Sequence, residues 1–293
     1  MPIAASNGIE LCFETFGDRS DPALLLVSGY TSQLLGWDEG LCAELAARGR
    51  FVIRFDNRDV GLSTKLDGQQ VDIGAVLAAS MGAGTMPEVP YQLSAFADDA
   101  FGLLDHLGID AAHIMGMSMG GMIVQTMAIE HPERVLSMTS VMSTTGEADY
   151  FQSVPEVMKA LMTPPPADRA GFIAHASATA KLFSSPRYFD QARAEEKAAA
   201  GYDRCFYPEG AVRQLAAIRS SGDRAEALRT LDVPTLVIHG RQDTLILPKG
   251  GERTAELVPG ANLLLLHDMG HDLPQPLWPL LVDAVISHTA HRI

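Results

Sequence analysis

Gly116-Met117-Ser118-Met119-Gly120 decides the reading of this chain. The stretch joins an apolar run, His113 to Met117, to a run with helical spacing, Met119 to His131. A serine on so sharp a strand-to-helix turn is held in a strained backbone conformation, with its hydroxyl clear of the sheet and open to a carbonyl group. Side chains two residues before and after it would collide with the neighbouring strand or helix, which accounts for Gly116 and Gly120. The helix start adds backbone NH groups carrying positive partial charge, suited to an oxyanion. Five-residue patterns also arise by chance, so the pattern gains force only if strand, helix, acid and base fall in their required places.

Working outward, the rest of the chain supplies that context. Ala23 to Val27, Phe51 to Phe55 and Thr235 to Ile238 are continuous apolar runs bounded by turn residues, as in strands buried on both faces of a parallel sheet. Ile9 to Phe16 alternates like a half-exposed edge strand. Leu35 to Arg48 and Ser94 to Leu107 read as helices, the second with Ser94 as its cap and Gly108 as its end. Val135 to Met142 reads as a strand beside the one before Ser118, and Asn262 to Leu266 as a late strand between helices Gly251 to Val258 and Leu277 to His288. Strand and helix in alternation predict an α/β fold with a mostly parallel sheet flanked by helices.

The alternation breaks between about Thr144 and Leu228, where only helical patches punctuated by prolines occur. The expected organisation is a core of residues 1–143 and 229–293 with an inserted helical cap, 144–228, over the strand ends where ligands bind in such sheets. Residues 67–93, irregular and rich in glycine and proline, read as a long loop of the kind that forms active-site lids.

Composition narrows the function classes. A formal net charge of -14, spread along the chain, argues against a nucleic-acid surface. Three distant cysteines, Cys12, Cys42 and Cys205, suggest neither a disulfide framework nor a zinc cluster. The N-terminus lacks a signal-peptide pattern and no apolar run is long enough to span a bilayer, so the expectation is a cytoplasmic protein without a membrane span. Gly82-Ala83-Gly84 fails as a dinucleotide fingerprint, and no P-loop, HExxH or SxxK pattern occurs, so neither metal nor organic cofactor is expected.

Serine chemistry needs a base and a group to orient it. Catalytic side chains in a parallel sheet belong just after strands. Asp243 follows Thr235 to Ile238 across a short turn, and His271 follows Asn262 to Leu266 with Gly270 beside it, giving the order serine, aspartate, histidine. Asp268 and Asp272 are too near His271 in sequence to orient its ring and are expected at the solvent face. His239 and His267 read as structural histidines. Backbone NH groups of Met119 and Tyr30 are the expected oxyanion donors. Trp37, Met142, Phe183, Tyr202 and Phe206 are the expected pocket lining, favouring an apolar substrate. The charged run Asp56 to Ser63 reads as a turn fixed by its own hydrogen bonds.

These segments resemble the α/β-hydrolase superfamily. The resemblance rests on Leu24 to Tyr30, Val52 to Ser63, Gly116-Met117-Ser118-Met119-Gly120-Gly121, Val233 to Ile238 and Met269-Gly270-His271, although many relatives carry histidine where this chain has Ser28. Within the superfamily the chain is most similar to bacterial carboxylesterases of the aclacinomycin methylesterase type. That resemblance implies a serine triad hydrolysing a small-molecule ester, in a monomer or homodimer. The same triad serves perhydrolases or haloperoxidases, lactonases, thioesterases and C-C hydrolases, and the fold also occurs as a non-catalytic ligand-binding protein.

Overall fold

Every residue of Ala23–Val27 and of Phe51–Phe55 is buried, which requires cover on both faces of the sheet they join. The computed structural model, which describes residues 1–290, supplies that cover. Its sheet runs β1 (Ile3–Ser6), β2 (Ile9–Phe16), β3 (Ala23–Val27), β4 (Phe51–Phe55), β5 (Ala112–Met117), β6 (Val135–Val141), β7 (Thr235–Gly240) and β8 (Asn262–Leu266) in sequence. In space the order is β1-β2-β4-β3-β5-β6-β7-β8. β1 and β2 are antiparallel to each other and β2 is antiparallel to β4, whereas β4, β3, β5, β6, β7 and β8 pair in parallel.

Side chains alternate across the sheet, as the strand period demands. Leu25 and Val27 join one core layer, which holds Phe96, Leu103, Ile123 and Met127. Leu24 and Leu26 join the other, with Leu41, Leu45, Leu281 and Val285. The helices responsible are α1 (Glu39–Ala47), α3 (Leu93–His106), α4 (Met119–Glu130) and α11 (Trp278–Thr289), with α2 (Ile73–Ser80) and α10 (Lys249–Leu257) completing the set outside the β6 to β7 connection.

Strand β3 leads to β4 on one side, and the chain then returns to place β5 on its other side. This reversal opens a crevice between the carboxyl ends of β3 and β5, the kind of place where α/β sheets bind ligands.

Several local expectations need correction. The helix expected over Leu35 to Arg48 is split: a 3₁₀ turn, Leu34–Gly36, precedes α1, which starts where the Asp38 side chain accepts from the Gly40 NH. Ser94 is not the cap of α3. The helix begins at Leu93, whose NH donates to Ser221 Oγ at 2.9 Å. Residues 67–93 contain α2, started by Asp72 accepting from Ala75 N and packed on a later helix (Gly210–Ser220).

Between β6 and β7 lie α5 (Pro155–Leu161), α6 (Arg169–Phe183), α7 (Gln191–Arg204), α8 (Gly210–Ser220) and α9 (Ala225–Leu228). The last two reach down into the main core, where Ala217, Ile218, Ala225 and Leu228 are buried in the same layer as β3.

Candidate active site

The turn after β5 is as tight as its sequence implies. Ser118 has φ 57° and ψ -120°, a conformation that non-glycine residues adopt only when surroundings enforce it. The enforcement is visible. Ser118 N donates to Val141 O at 2.9 Å, and Ser118 O accepts from Gly121 N at 2.9 Å and from Ser143 Oγ at 2.8 Å. A Cβ on Gly116 would strike the Gly120 carbonyl oxygen, and one on Gly120 would strike that of Val27. Both positions therefore require glycine because backbone segments approach each other there.

Asp243 lies beyond β7, its NH donating to Gly240 O at 3.2 Å. One carboxylate oxygen accepts from Leu245 N and Ile246 N, both at 2.9 Å. The other accepts from His271 Nδ1 at 2.7 Å. Burial would push this carboxyl up, but the His271 charge and hydrogen bonds from His239 and His271 outweigh it and hold Asp243 below its ordinary value. An ionised Asp243 can only accept, so Nδ1 is the nitrogen that donates, and in the neutral form of the ring the lone pair falls on Nε2.

His271 is fixed from the helical side of the molecule as well. Its NH donates to Phe183 O at 2.6 Å, and its ring meets that of Phe183 edge-on, centroids 5.8 Å apart. The carbonyl end of α6 thus rests on the loop that carries the histidine.

The loop after β3 completes the floor. A Cβ on Gly29 would lie 3.2 Å from Ser118 Cβ, so this backbone runs directly beside the serine. Asn57 Nδ2 donates to Ser28 O at 3.0 Å and Thr31 N donates to Gln214 Oε1 at 2.8 Å, tying the loop down on both sides of Tyr30. Met119 is the first residue of α4, a position whose NH has no acceptor within its own helix.

These groups surround one cavity of about 440 Å³, lined by Ser118, Met119, Tyr30, His271, Met142 and Phe183 among others. Trp37, Tyr202 and Phe206 do not line it. Trp37 is fully buried in the layer holding α1 and α11, with its carbonyl taken by Arg54 Nη1. Tyr202 and Phe206 stack on each other at 4.9 Å and on Phe172, so their apolar faces are spent within the helical segment. No residue of 67–93 lines the cavity, contrary to a lid there.

Other expectations shift in the same way. Asp272 does not face solvent: it lines the cavity, accepts from Ser185 N at 3.0 Å and Gly270 N at 3.1 Å, and is held above its ordinary value by burial. Asp268 pairs with Arg187 at 2.6 Å. His239, by contrast, is the structural histidine expected: it is fully buried, donates from Nε2 to Ile246 O at 2.9 Å and lies 3.3 Å from Asp243 Oδ2, among the surroundings of the acid. The charged run after β4 does fix its own turn, Asp56 accepting from Leu62 N at 2.8 Å and Ser63 Oγ donating to Asp56 O at 2.6 Å, and distant partners hold it as well: Asp56 accepts from Leu34 N and pairs with Arg204, Arg58 pairs with Asp99, and Asp59 pairs with Arg213. Sequence reading also passed over Lys197, Asp38 and Arg219, which line the cavity. Leu215, Ile218 and Arg219 share one face of α8 at i, i+3 and i+4, and that spacing was the available signal.

Among the described residues no cluster of three or more His, Cys, Asp or Glu side chains could hold a metal ion, and no helix is long and apolar enough to cross a membrane.

The fold and this arrangement place the chain in the alpha/beta hydrolase fold family, whose model matches residues 22–274; the chain belongs to that family, and it is a hydrolase. It is 27% identical to a rhodomycin D methylesterase of Streptomyces sp. strain C5, covering 98% of this chain and 97% of that one. It is 26% identical to 3-oxoadipate enol-lactonase 2 of Acinetobacter baylyi, covering 89% of this chain and 86% of that one. Among solved structures, an enol-lactonase from Burkholderia xenovorans matches in fold with a TM-score of 0.74 at 23% identity, over 99% of this chain and 100% of the other. The resemblance to rhodomycin D methylesterases therefore extends over nearly the full length.

Proposed function

We propose that the chain is a serine carboxylesterase that hydrolyses medium-sized esters through an acyl-enzyme on Ser118. The observation that carries this reading is that Ser118, on its strained turn, shares a cavity with His271, whose Nδ1 donates to the buried Asp243 at 2.7 Å. Ser118 Oγ attacks the ester carbonyl while His271 Nε2 takes its proton, and Asp243 stabilises the imidazolium. The NH groups of Met119 and Tyr30 receive the oxyanion. His271 then protonates the departing alkoxide, and on the return half-reaction it deprotonates water, which attacks the acyl carbon and frees Ser118. Residues 144–228 act as the cap, with α6 and α8 contributing Phe183 and Leu215 to the walls. Six methionines, Met117, Met119, Met122, Met142, Met158 and Met162, give the cavity an apolar, adaptable lining.

The methylesterase relatives support an ester substrate, and the lactonase relative supports a second reading, opening of a cyclic ester by the same steps. A serine-directed fluorophosphonate tests the common step. Mass spectrometry of the digested protein should locate the adduct on the peptide containing Ser118; an unmodified Ser118 in protein that still turns over ester would refute the acyl-enzyme.

A further inference from the structure

Four charged side chains line the cavity: Asp38, Lys197, Asp272 and Arg219. Three are partnered within the protein. Asp38 Oδ2 lies 3.2 Å from Lys197 and 2.5 Å from Arg193, and Asp272 accepts two backbone NH groups. Arg219 is different. Among the described residues it has no carboxylate partner, its Nε is buried without an acceptor, and its contact is with the Phe151 ring, 4.4 Å below the guanidinium. Burial alone acts on it, lowering its pKa from the ordinary value.

Arginine remains charged under such conditions, so the cavity wall carries an undercompensated cation that is partly stripped of water. An unsatisfied buried donor costs stability unless something bonds it. The Phe151 ring packs against the guanidinium, and the cavity that Arg219 lines has largely apolar walls, six methionines among them, with its other charged side chains already partnered. That is the chemistry of a carboxylate site, because guanidinium and carboxylate match as parallel hydrogen bonds.

We propose that Arg219 is a specificity-determining residue that binds a carboxylate carried by the ester substrate, so that the preferred substrates are hemiesters: an ester at Ser118, an apolar body along the methionines and an anionic end on Arg219. The inference rests on the esterase reading above for what happens at Ser118, and on the unpartnered guanidinium for the anionic end.

The test pairs monomethyl glutarate, adipate and pimelate with methyl pentanoate, hexanoate and heptanoate, followed by pH-stat titration in wild type, Arg219→Met and Arg219→Lys. Wild type should favour one hemiester over its neutral counterpart, and Arg219→Met should lower kcat/KM for that hemiester about tenfold or more, mainly through KM, with the neutral ester within about twofold. Arg219→Lys should fall between. Equal losses on both ester types, or a wild type that disfavours every hemiester, would overturn the assignment. If no methyl ester of either kind is hydrolysed, calorimetric titration with monomethyl adipate reads the contact without turnover. Binding by wild type that Arg219→Met abolishes would keep the anion site while the esterase reading fails; equal or absent binding in both would overturn the site itself. Should Arg219→Met not fold, Arg219→Gln replaces it in both arms.

Discussion

One oxygen of the Asp243 carboxylate faces two imidazoles, His271 Nδ1 at 2.7 Å and His239 Nε2 at 3.3 Å. Both act to keep the acid ionised against its burial. A carboxyl held below its ordinary value stabilises the fold fully above the unfolded-state pKa, near 3.8, and loses that contribution as pH falls through its lower folded value. His239→Leu removes one support, so the folded-state value should rise and the stability from this group should shrink and disappear at a higher pH. Urea unfolding between pH 6 and pH 3 should show the acid limb of the variant displaced upward. An unchanged limb would mean that His239 only fills space.

The orienting role proposed for Asp243 has a sharper signature. Asp243→Asn replaces an acceptor with a group that can hold His271 in the wrong tautomer. Turnover of a nitrophenyl ester should drop by about 10³–10⁴-fold in kcat with KM little altered. A loss confined to KM would assign Asp243 to substrate binding.

Crowding at the turn predicts a stability effect rather than a chemical one. In Gly120→Ala the new methyl group meets the Val27 carbonyl carbon at 2.7 Å, and backbone cannot rotate away as a side chain can. Destabilisation of about 1–3 kcal/mol or more is expected from forced overpacking, measured by denaturant unfolding. Gly68→Ala is a control: nothing lies within 4 Å of that position, although its φ of +82° adds some strain.

Outside the cavity lining, Arg213 donates two hydrogen bonds of 2.8 Å to Asp59, which Tyr91 also meets at 2.6 Å. This pair ties α8 to the segment after β4. Removing one partner of a buried pair leaves an unpaired charge, so Arg213→Met should destabilise the protein by about 3–5 kcal/mol. Thermal unfolding that is unchanged in Arg213→Met would show that Asp59 finds other partners.

The sheet and the elements around Ser118 were legible because burial on both faces imposes a composition. Leu24-Leu25-Leu26-Val27 can hardly be anything but an interior strand, and Gly116 and Gly120 record a backbone collision that no other residue permits. What stayed hidden depended on distant contacts. The first NH of α3, that of Leu93, is taken by Ser221 Oγ, more than a hundred residues away, while Ser94 offered the local pattern. α2 was masked by the glycines and prolines around it, and β1 is only four residues long. The aromatic residues misled for a related reason: Trp37, Tyr202 and Phe206 carry the apolar area a pocket wants, but that area is satisfied by the core and by Phe172. Arg219 was missed because a cation on an amphipathic helix reads as solvated until the helix is placed, and α8 turns that face toward the cavity.

The central claim is that Ser118 is the nucleophile. Hydrolysis of 4-nitrophenyl butyrate by wild type and by folded Ser118→Ala tests it most directly. The account predicts that the variant loses at least about 10⁴-fold in kcat, to near the uncatalysed background. A Ser118→Ala protein that hydrolyses the ester at the wild-type rate would contradict it.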